Sequence, residues 1–75
     1  PLVAVNQTGA GDIFDLSQAG RSKFRLTQAG NVGIGTTNPQ AMLHASSSSA
    51  TVPVLILQGI AGQSANLLEN KNNSS

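Results

Sequence analysis

The segment that most constrains the fold of this chain is the octapeptide GNVGIGTT at residues 30–37. It alternates β-branched residues with glycines, so one face of an extended strand carries Val32 and Ile34. The opposite face carries only Gly33 and Gly35. Glycine weakens a strand unless a neighbouring backbone approaches very closely. In a chain this short, the simplest such neighbour is a second copy, so the segment predicts close packing between chains.

The chain has 75 residues and no cysteine. Domains of this size bury only about 60% of their unfolded-chain surface and usually need disulfides, a metal or oligomerisation. Cysteine-based staples are excluded, and the single histidine, His44, cannot hold a metal ion alone. Three copies of His44 around a threefold axis could form a metal site, which is the alternative. We expect His44 to be a surface or interface residue instead. We therefore predict that oligomerisation stabilises the fold, and we expect no metal and no cofactor.

Charged residues are few, with four Lys and Arg against three Asp and Glu. Arg21, Lys23 and Arg25 alternate along the sequence, which predicts one basic face of a strand. Nucleic-acid binders normally carry a larger basic surplus with interleaved aromatics, whereas Phe14 and Phe24 are the only aromatic residues here. We predict a solvated strand face and no nucleic-acid partner. Contact with an anionic glycan or a phosphate is the alternative.

Residues with catalytic chemistry do not form a recognisable motif. The glycines of residues 30–35 follow neither the dinucleotide-binding order nor the P-loop order with its lysine. Asp12 and Asp15 are three positions apart, which in a strand places them on opposite faces, so a paired-carboxylate glycosidase site is not supported. There is no cysteine nucleophile, and no serine lies in an elbow motif. We therefore expect no enzyme activity.

Short apolar runs separated by glycine-containing turns predict an all-β fold. The expected strands are residues 2–5, 12–16, 23–27, 31–36, 41–45 and 54–57. The expected turns include residues 17–20 and 28–30, and the serine run 46–49 is a predicted linker. Residues 54–57 are uninterrupted aliphatics, typical of a strand buried on both faces. Residues 61–69 fit either a strand or a short helix. The longest apolar run is far shorter than the roughly 20 residues of a spanning helix, so membrane insertion is not expected.

The chain also repeats itself, which indicates a stacked array. Two five-residue patterns recur a little over fifty positions apart: residues 1–5 with 53–57, and residues 11–15 with 65–69. We interpret residues 1–50 as one repeat unit. Residues 51–75 then form the start of a second unit.

The glycine segment and the residues after it carry a family resemblance. GNVGIGTTNP followed by AMLH at residues 41–44 resembles the GNVGIGTTxPxxxLHV repeat of phage tail-fibre and tail-spike shafts, which also occurs in large bacterial surface proteins. Residues 24–30 and 61–69 are similar to the segments that usually flank that repeat. The resemblance implies a homotrimeric, β-rich fibre outside the cell, on a virion tail or a cell surface.

Together these features predict short strands with glycine turns in an intertwined homotrimeric β-prism or triple β-helix. The residues expected to pack between chains are Phe24, Leu26, Val32, Gly33, Ile34, Gly35, Leu43, Val54 and Ile56. The predicted function is a rigid fibre-shaft spacer that presents a receptor-binding tip, with the host receptor contacted by regions outside this chain. The alternatives are a subunit of a self-assembling extracellular filament, an adhesin stalk, a glycan-binding surface and a disordered linker.

Overall fold

The computed structural model describes residues 1–72, which form one open, mixed four-stranded sheet and no helix. The strands are β1 (Phe14–Gln18), β2 (Arg21–Leu26), β3 (Val32–Ile34) and β4 (Leu43–Ala45). They lie in sequence order across the sheet. The pairs β1–β2 and β2–β3 are antiparallel, and β3–β4 is parallel. The predicted all-β class is confirmed, and four of the six predicted strands form, with shifted ends.

The β1–β2 hairpin closes through a two-residue turn at Ala19 and Gly20, which both have positive φ, 51° and 80°. Two consecutive positive φ values match the twist of a hairpin, and they are the requirement of a type I′ turn. The turn predicted over residues 17–20 is therefore shorter than expected, because β1 continues to Gln18. Ala19 adopts a backbone conformation that glycine or asparagine tolerates better.

The β2–β3 connection is a loop closed by Thr27 and Asn31. The Thr27 N–H donates to the Asn31 carbonyl at 3.0 Å, and the Thr27 hydroxyl accepts from the Asn31 N–H at 3.2 Å. Gly30, with φ 90°, donates its N–H to the Thr27 carbonyl at 3.0 Å. The turn predicted at residues 28–30 is thus confirmed, and it sets β3 antiparallel to β2.

The β3–β4 connection, residues 35–42, folds across one face of the sheet. A parallel pair usually needs a connection of a dozen or more residues, but both strands here are only three residues long. The Val32 N–H donates to the Met42 carbonyl, and the Ser46 N–H donates to the Ile34 carbonyl, each at 2.8 Å. Gly33 lies beneath this connection, and it is the only buried residue in the described part of the chain.

Residues 2–5 and 54–57 are not strands, so those two predictions are wrong for the single chain. Leu55 and Ile56 are each 69% exposed, rather than buried on both faces. An extended segment becomes a strand only when its backbone groups pair with a neighbouring strand, and within residues 1–72 neither segment pairs with an edge of the sheet. Residues 61–69 form neither a strand nor a helix.

The serine run predicted as a linker has no regular structure but is internally bonded. The Ser49 N–H donates to Ser47 Oγ at 3.1 Å, and the Thr51 N–H donates to Ser49 Oγ at 3.2 Å. Such hydroxyl-to-backbone bonds mimic backbone turns. They define the course of the chain as it leaves β4.

Candidate assembly surface

One face of the sheet is apolar over most of its width, with polar side chains at the hairpin end, where Gln18 is opposite Arg21. In the cross-strand register Phe14 is opposite Leu26, and Leu16 is opposite Phe24. Because residues opposite each other in neighbouring strands share a face, the same register continues through β3 and β4. We call this surface the apolar face; its members are Phe14, Leu16, Phe24, Leu26, Val32, Ile34, Leu43 and Ala45.

The apolar face has no cover in the single chain. Leu43 is 65% exposed, Leu16 53%, Ile34 44% and Phe14 39%. The rings of Phe14 and Phe24 meet edge to face with centroids 6.3 Å apart, so they pack on each other but not under a second layer. Among residues 1–72 no hydrophobic side chain is fully buried. A sheet of this kind normally needs a second layer over its apolar face.

The chain exposes more surface than a folded monomer of its mass normally does. The chain exposes 6608 Å², whereas a folded monomer of 7.6 kDa is expected to expose about 4,300 Å². The excess of about 2,300 Å² per chain is well above the roughly 800 Å² that each partner buries in a standard interface. The radius of gyration is 16.0 Å, against about 11 Å for a compact domain of this length.

The structure brings together five of the nine residues predicted to pack between chains. Phe24, Leu26, Val32, Ile34 and Leu43 all lie on the apolar face. Phe14 and Leu16 also lie on this face, within a predicted strand, but they were not among the residues predicted to pack between chains. The signal was present in the sequence, because the Phe-x-Leu spacing of β1 repeats in β2 and the two motifs pair crosswise.

Val54 and Ile56 do not lie on the sheet. Val54 and Val52 line a groove of about 310 Å³ together with Ile34 and Ala45, at one end of the apolar face. Ile56 is 69% exposed and is not among the residues that line this groove. The chain therefore reaches the rim of its own apolar face and then leaves it.

Gly33 and Gly35 pack against the chain's own backbone. The sequence predicted a close neighbour at these glycines but assigned it to a second chain. A Cβ at Gly33 would lie 2.7 Å from the Thr36 carbonyl oxygen, inside the β3–β4 connection. A Cβ at Gly35 would collide with the Ser46 carbonyl, and Gly35 also has φ 76°. Both glycines are thus needed within one chain, because the connection has to fold tightly over β3.

The face opposite the apolar face carries a cluster of charged and hydroxyl groups around Asp15. Its Oδ1 accepts hydrogen bonds from Ser17 Oγ at 2.8 Å and from Ser22 Oγ at 2.7 Å. Its Oδ2 accepts from Arg25 Nη2 at 3.2 Å. The Ser22 and Ser17 hydroxyls, with the Arg25 guanidinium adding to them, hold the pKa of Asp15 below its ordinary value of 3.8.

Arg25 ties this cluster to the β3–β4 connection. Its Nη1 donates to the Thr37 carbonyl at 3.5 Å, and its Nη2 donates to Ser22 Oγ at 2.6 Å. Its buried Nε has no hydrogen-bond partner, although it lies 3.2 Å from Asp12 Oδ2. This approach is close enough for ion pairing but is not aligned as a hydrogen bond. Asp12 and Asp15 therefore converge on one guanidinium, and the prediction that they lie on opposite faces is wrong, because Asp12 precedes β1.

Arg21, Lys23 and Arg25 do not share one basic face of β2, as the sequence predicted. The register shifts between Leu16 and Ser17 and leaves Lys23 without a partner on β1, which is the arrangement of a β-bulge. As a result Ser22 and Arg25 meet on the same face, although residues three apart in a regular strand lie on opposite faces. Arg21 and Lys23 stay exposed, whereas Arg25 is used inside the chain.

His44 also helps to hold the β3–β4 connection. Its Nδ1 accepts a hydrogen bond from the Gln40 N–H at 3.1 Å, so in the neutral ring the proton is on Nε2. A metal-bound histidine usually donates its second N–H to a neighbouring group, which this arrangement does not allow. Within the described range no group of three His, Cys, Asp or Glu side chains is placed to hold a metal ion.

No family model matches this chain, and neither the characterised proteins nor the solved structures compared with it include a similar one. The resemblance to fibre-shaft repeats consequently stays a prediction from the sequence. In the part of the chain that the structure describes, no helix is long and apolar enough to cross a bilayer.

Proposed function

We propose that this chain is a structural segment of a fibre shaft, which associates with identical copies into a rigid, extracellular spacer. The observation that carries this proposal is the uncovered apolar face. The chain as a whole, including its segments outside the sheet, exposes about 2,300 Å² more than is expected of a folded monomer. Burying each Leu, Ile, Val or Phe side chain is worth roughly 1.5–3 kcal/mol. The single chain obtains little of this stabilisation, and an assembly of chains obtains most of it.

The two faces of the sheet favour self-association over the binding of a charged ligand. The members of the apolar face are uncharged. The basic side chain that the register places on the same side is Arg21, at the hairpin end, so most of that face offers no counter-charge to a phosphate, a nucleic acid or an acidic glycan. The two carboxylates of Asp12 and Asp15 pair with the single guanidinium of Arg25 on the opposite face, which leaves one net negative charge there. An assembly that covers the apolar face and leaves these charges toward water satisfies both surfaces.

A homotrimer is the assembly that the sequence resemblance implies. Three sheets around one axis would each present the apolar face inward, as a β-prism does. The receptor-binding tip of such a fibre belongs to regions outside this chain, and the virion tail or cell surface is its expected location.

Size-exclusion chromatography with light scattering tests this proposal. We expect a discrete mass of three chains that persists on dilution to low micromolar concentration. A mass of one chain would contradict it, because the apolar face would then be stable without a cover.

An open filament is the second candidate, and the edges of the sheet favour it. Within residues 1–72 no strand pairs with the outer side of β1 or β4, and unpaired strand edges are templates for adding another chain. The same light-scattering measurement distinguishes the candidates, because a filament gives a series of masses that grows with concentration.

A further inference from the structure

The apolar face needs an apolar cover of a particular size. Four strands at about 4.8 Å spacing give a face about 14 Å wide. An extended segment of seven residues spans roughly 23 Å, so one such segment is long enough to cross it. Because the members of the apolar face are hydrocarbon side chains and polar groups lie only at its hairpin end, the covering segment must itself be mainly aliphatic.

The chain displays one segment with these properties. Residues 54–60, which we call the aliphatic run, contain four consecutive aliphatic residues and then Ile60. Ile60 is 80% exposed and Leu57 is 45% exposed. Two bonds hold the backbone of Ile60: its N–H donates to the Gln63 side-chain oxygen at 3.4 Å, and its carbonyl accepts from the Gln63 N–H at 3.0 Å. No other hydrogen bond joins the backbone of this run to the rest of the described chain. Residues 54–59 therefore combine unpaired backbone groups with exposed side chains.

The aliphatic run does not cover the apolar face of its own chain. The turn held by Ser47 and Ser49 places Val52 and Val54 at the groove beside Ile34. Beyond Val54 the run stays exposed. An uncovered face and an unused cover of matching length thus exist in every copy of the chain.

We propose that the aliphatic run of one copy lies on the apolar face of a second copy. This inference rests on the proposed self-association and adds the pair of surfaces that make the contact. The interface is heterologous, since two different surfaces of the chain meet. Such contacts close into a ring when the rotation between copies permits and otherwise extend into a filament.

The chain has no cysteine, so single-cysteine variants report on this contact directly. Leu16→Cys places a thiol on the apolar face, and Ile56→Cys places one on the aliphatic run. Thr37→Cys is the matched control, because Thr37 is exposed on the β3–β4 connection, over the opposite face. Pairs of variants are unfolded together, refolded as mixed assemblies and oxidised, and light scattering of each reduced mixture establishes that it still assembles.

We expect the Leu16→Cys and Ile56→Cys mixture to form a mixed disulfide. Neighbours held in one assembly reach millimolar effective concentrations, so the rate should exceed that of freely diffusing chains at about 10 μM by about a hundredfold. The Thr37→Cys and Ile56→Cys mixture should crosslink no faster than free chains. Leu43→Cys replaces Leu16→Cys if the latter fails to assemble.

Two other outcomes separate this inference from the proposed function. Assemblies that crosslink Leu16→Cys only to itself would overturn the inference, because the apolar faces would then meet face to face while self-association stood. If every mixture contained only single chains, and the unmodified protein did so too, both proposals would be overturned.

Discussion

Ser22 donates its hydroxyl hydrogen to Oδ1 of Asp15 at 2.7 Å, across the β1–β2 pair. This bond exists because β2 bulges at Lys23, which turns Ser22 onto the face that carries Arg25. The bulge thereby gives Asp15 two hydroxyl donors and one guanidinium. Arg25 in turn reaches the Thr37 carbonyl, so one cluster joins the hairpin to the connection that buries Gly33.

The first prediction concerns the stability of the chain at acid pH. The pKa of Asp15 is lowered in the folded chain, chiefly by Ser22 and Ser17 and further by Arg25. A lowered carboxyl pKa stabilises the fold above the unfolded value of 3.8, and this stabilisation is lost as the pH falls through the lower folded value. We expect Asp15→Asn to be less stable at neutral pH and to lose less stability below about pH 4.

Urea unfolding from pH 2 to pH 7 measures this difference. Glu69→Gln is the control, since the Glu69–Lys71 pair is exposed and an exposed pair adds little stability. A pH profile of Asp15→Asn that runs parallel to that of the unmodified chain would contradict the role of this carboxylate.

The second prediction concerns the β1–β2 turn. Ala19 has φ 51°, a left-handed conformation that costs a residue with a Cβ roughly 1–2 kcal/mol. Ala19→Gly removes this strain, although glycine also adds freedom to the unfolded chain. We expect a net gain of about 0.5–1 kcal/mol, or a few degrees in Tm. Ala10→Gly, in an exposed segment without regular structure, is the control and should not raise Tm.

The third prediction concerns the glycines of β3. Gly33→Ala places a Cβ against the Thr36 carbonyl, and Gly35→Ala adds positive-φ strain to a collision with Ser46. Overpacking against backbone typically costs 1–3 kcal/mol, so both variants should unfold at lower urea concentration at equal chain concentration. Valine at either position should abolish assembly, because the connection can no longer close over β3.

Gly11→Ala is the matched control for this series. Its added Cβ would meet only the flexible Gln7 side chain, so we expect a change within about 0.5 kcal/mol. Equal loss of stability in Gly11→Ala and Gly33→Ala would show that loss of backbone freedom, and not the close approach to Thr36, explains the effect.

The fourth prediction concerns the apolar face. Leu43→Lys places an ammonium group where the proposed assembly excludes water, and an unpaired buried charge is strongly unfavourable. We expect its native mass to fall to that of one chain. Gln28→Lys introduces the same charge in an exposed turn and should keep the native mass. An unchanged mass for Leu43→Lys would place the interface elsewhere on the chain.

The sequence by itself determined the all-β class and the part of the apolar face that β2 and β3 supply. Alternation in Phe24-x-Leu26 and Val32-x-Ile34 assigns each pair to one face, because successive side chains in a strand point to opposite sides. The turn at residues 28–30 was equally predictable, since Gly30 supplies the positive φ that the loop requires.

Only the tertiary structure decided how the opposite face is built. The bulge at Lys23 depends on the register between β1 and β2, which no local pattern encodes, and it brings Ser22, Asp15 and Arg25 together. The neighbour of Gly33 depends on the path of residues 35–42, so the sequence predicted a close approach without identifying Thr36 as its source. Residues 54–57 have strand-forming side chains but no strand, because backbone pairing is a property of two segments and one segment cannot supply it.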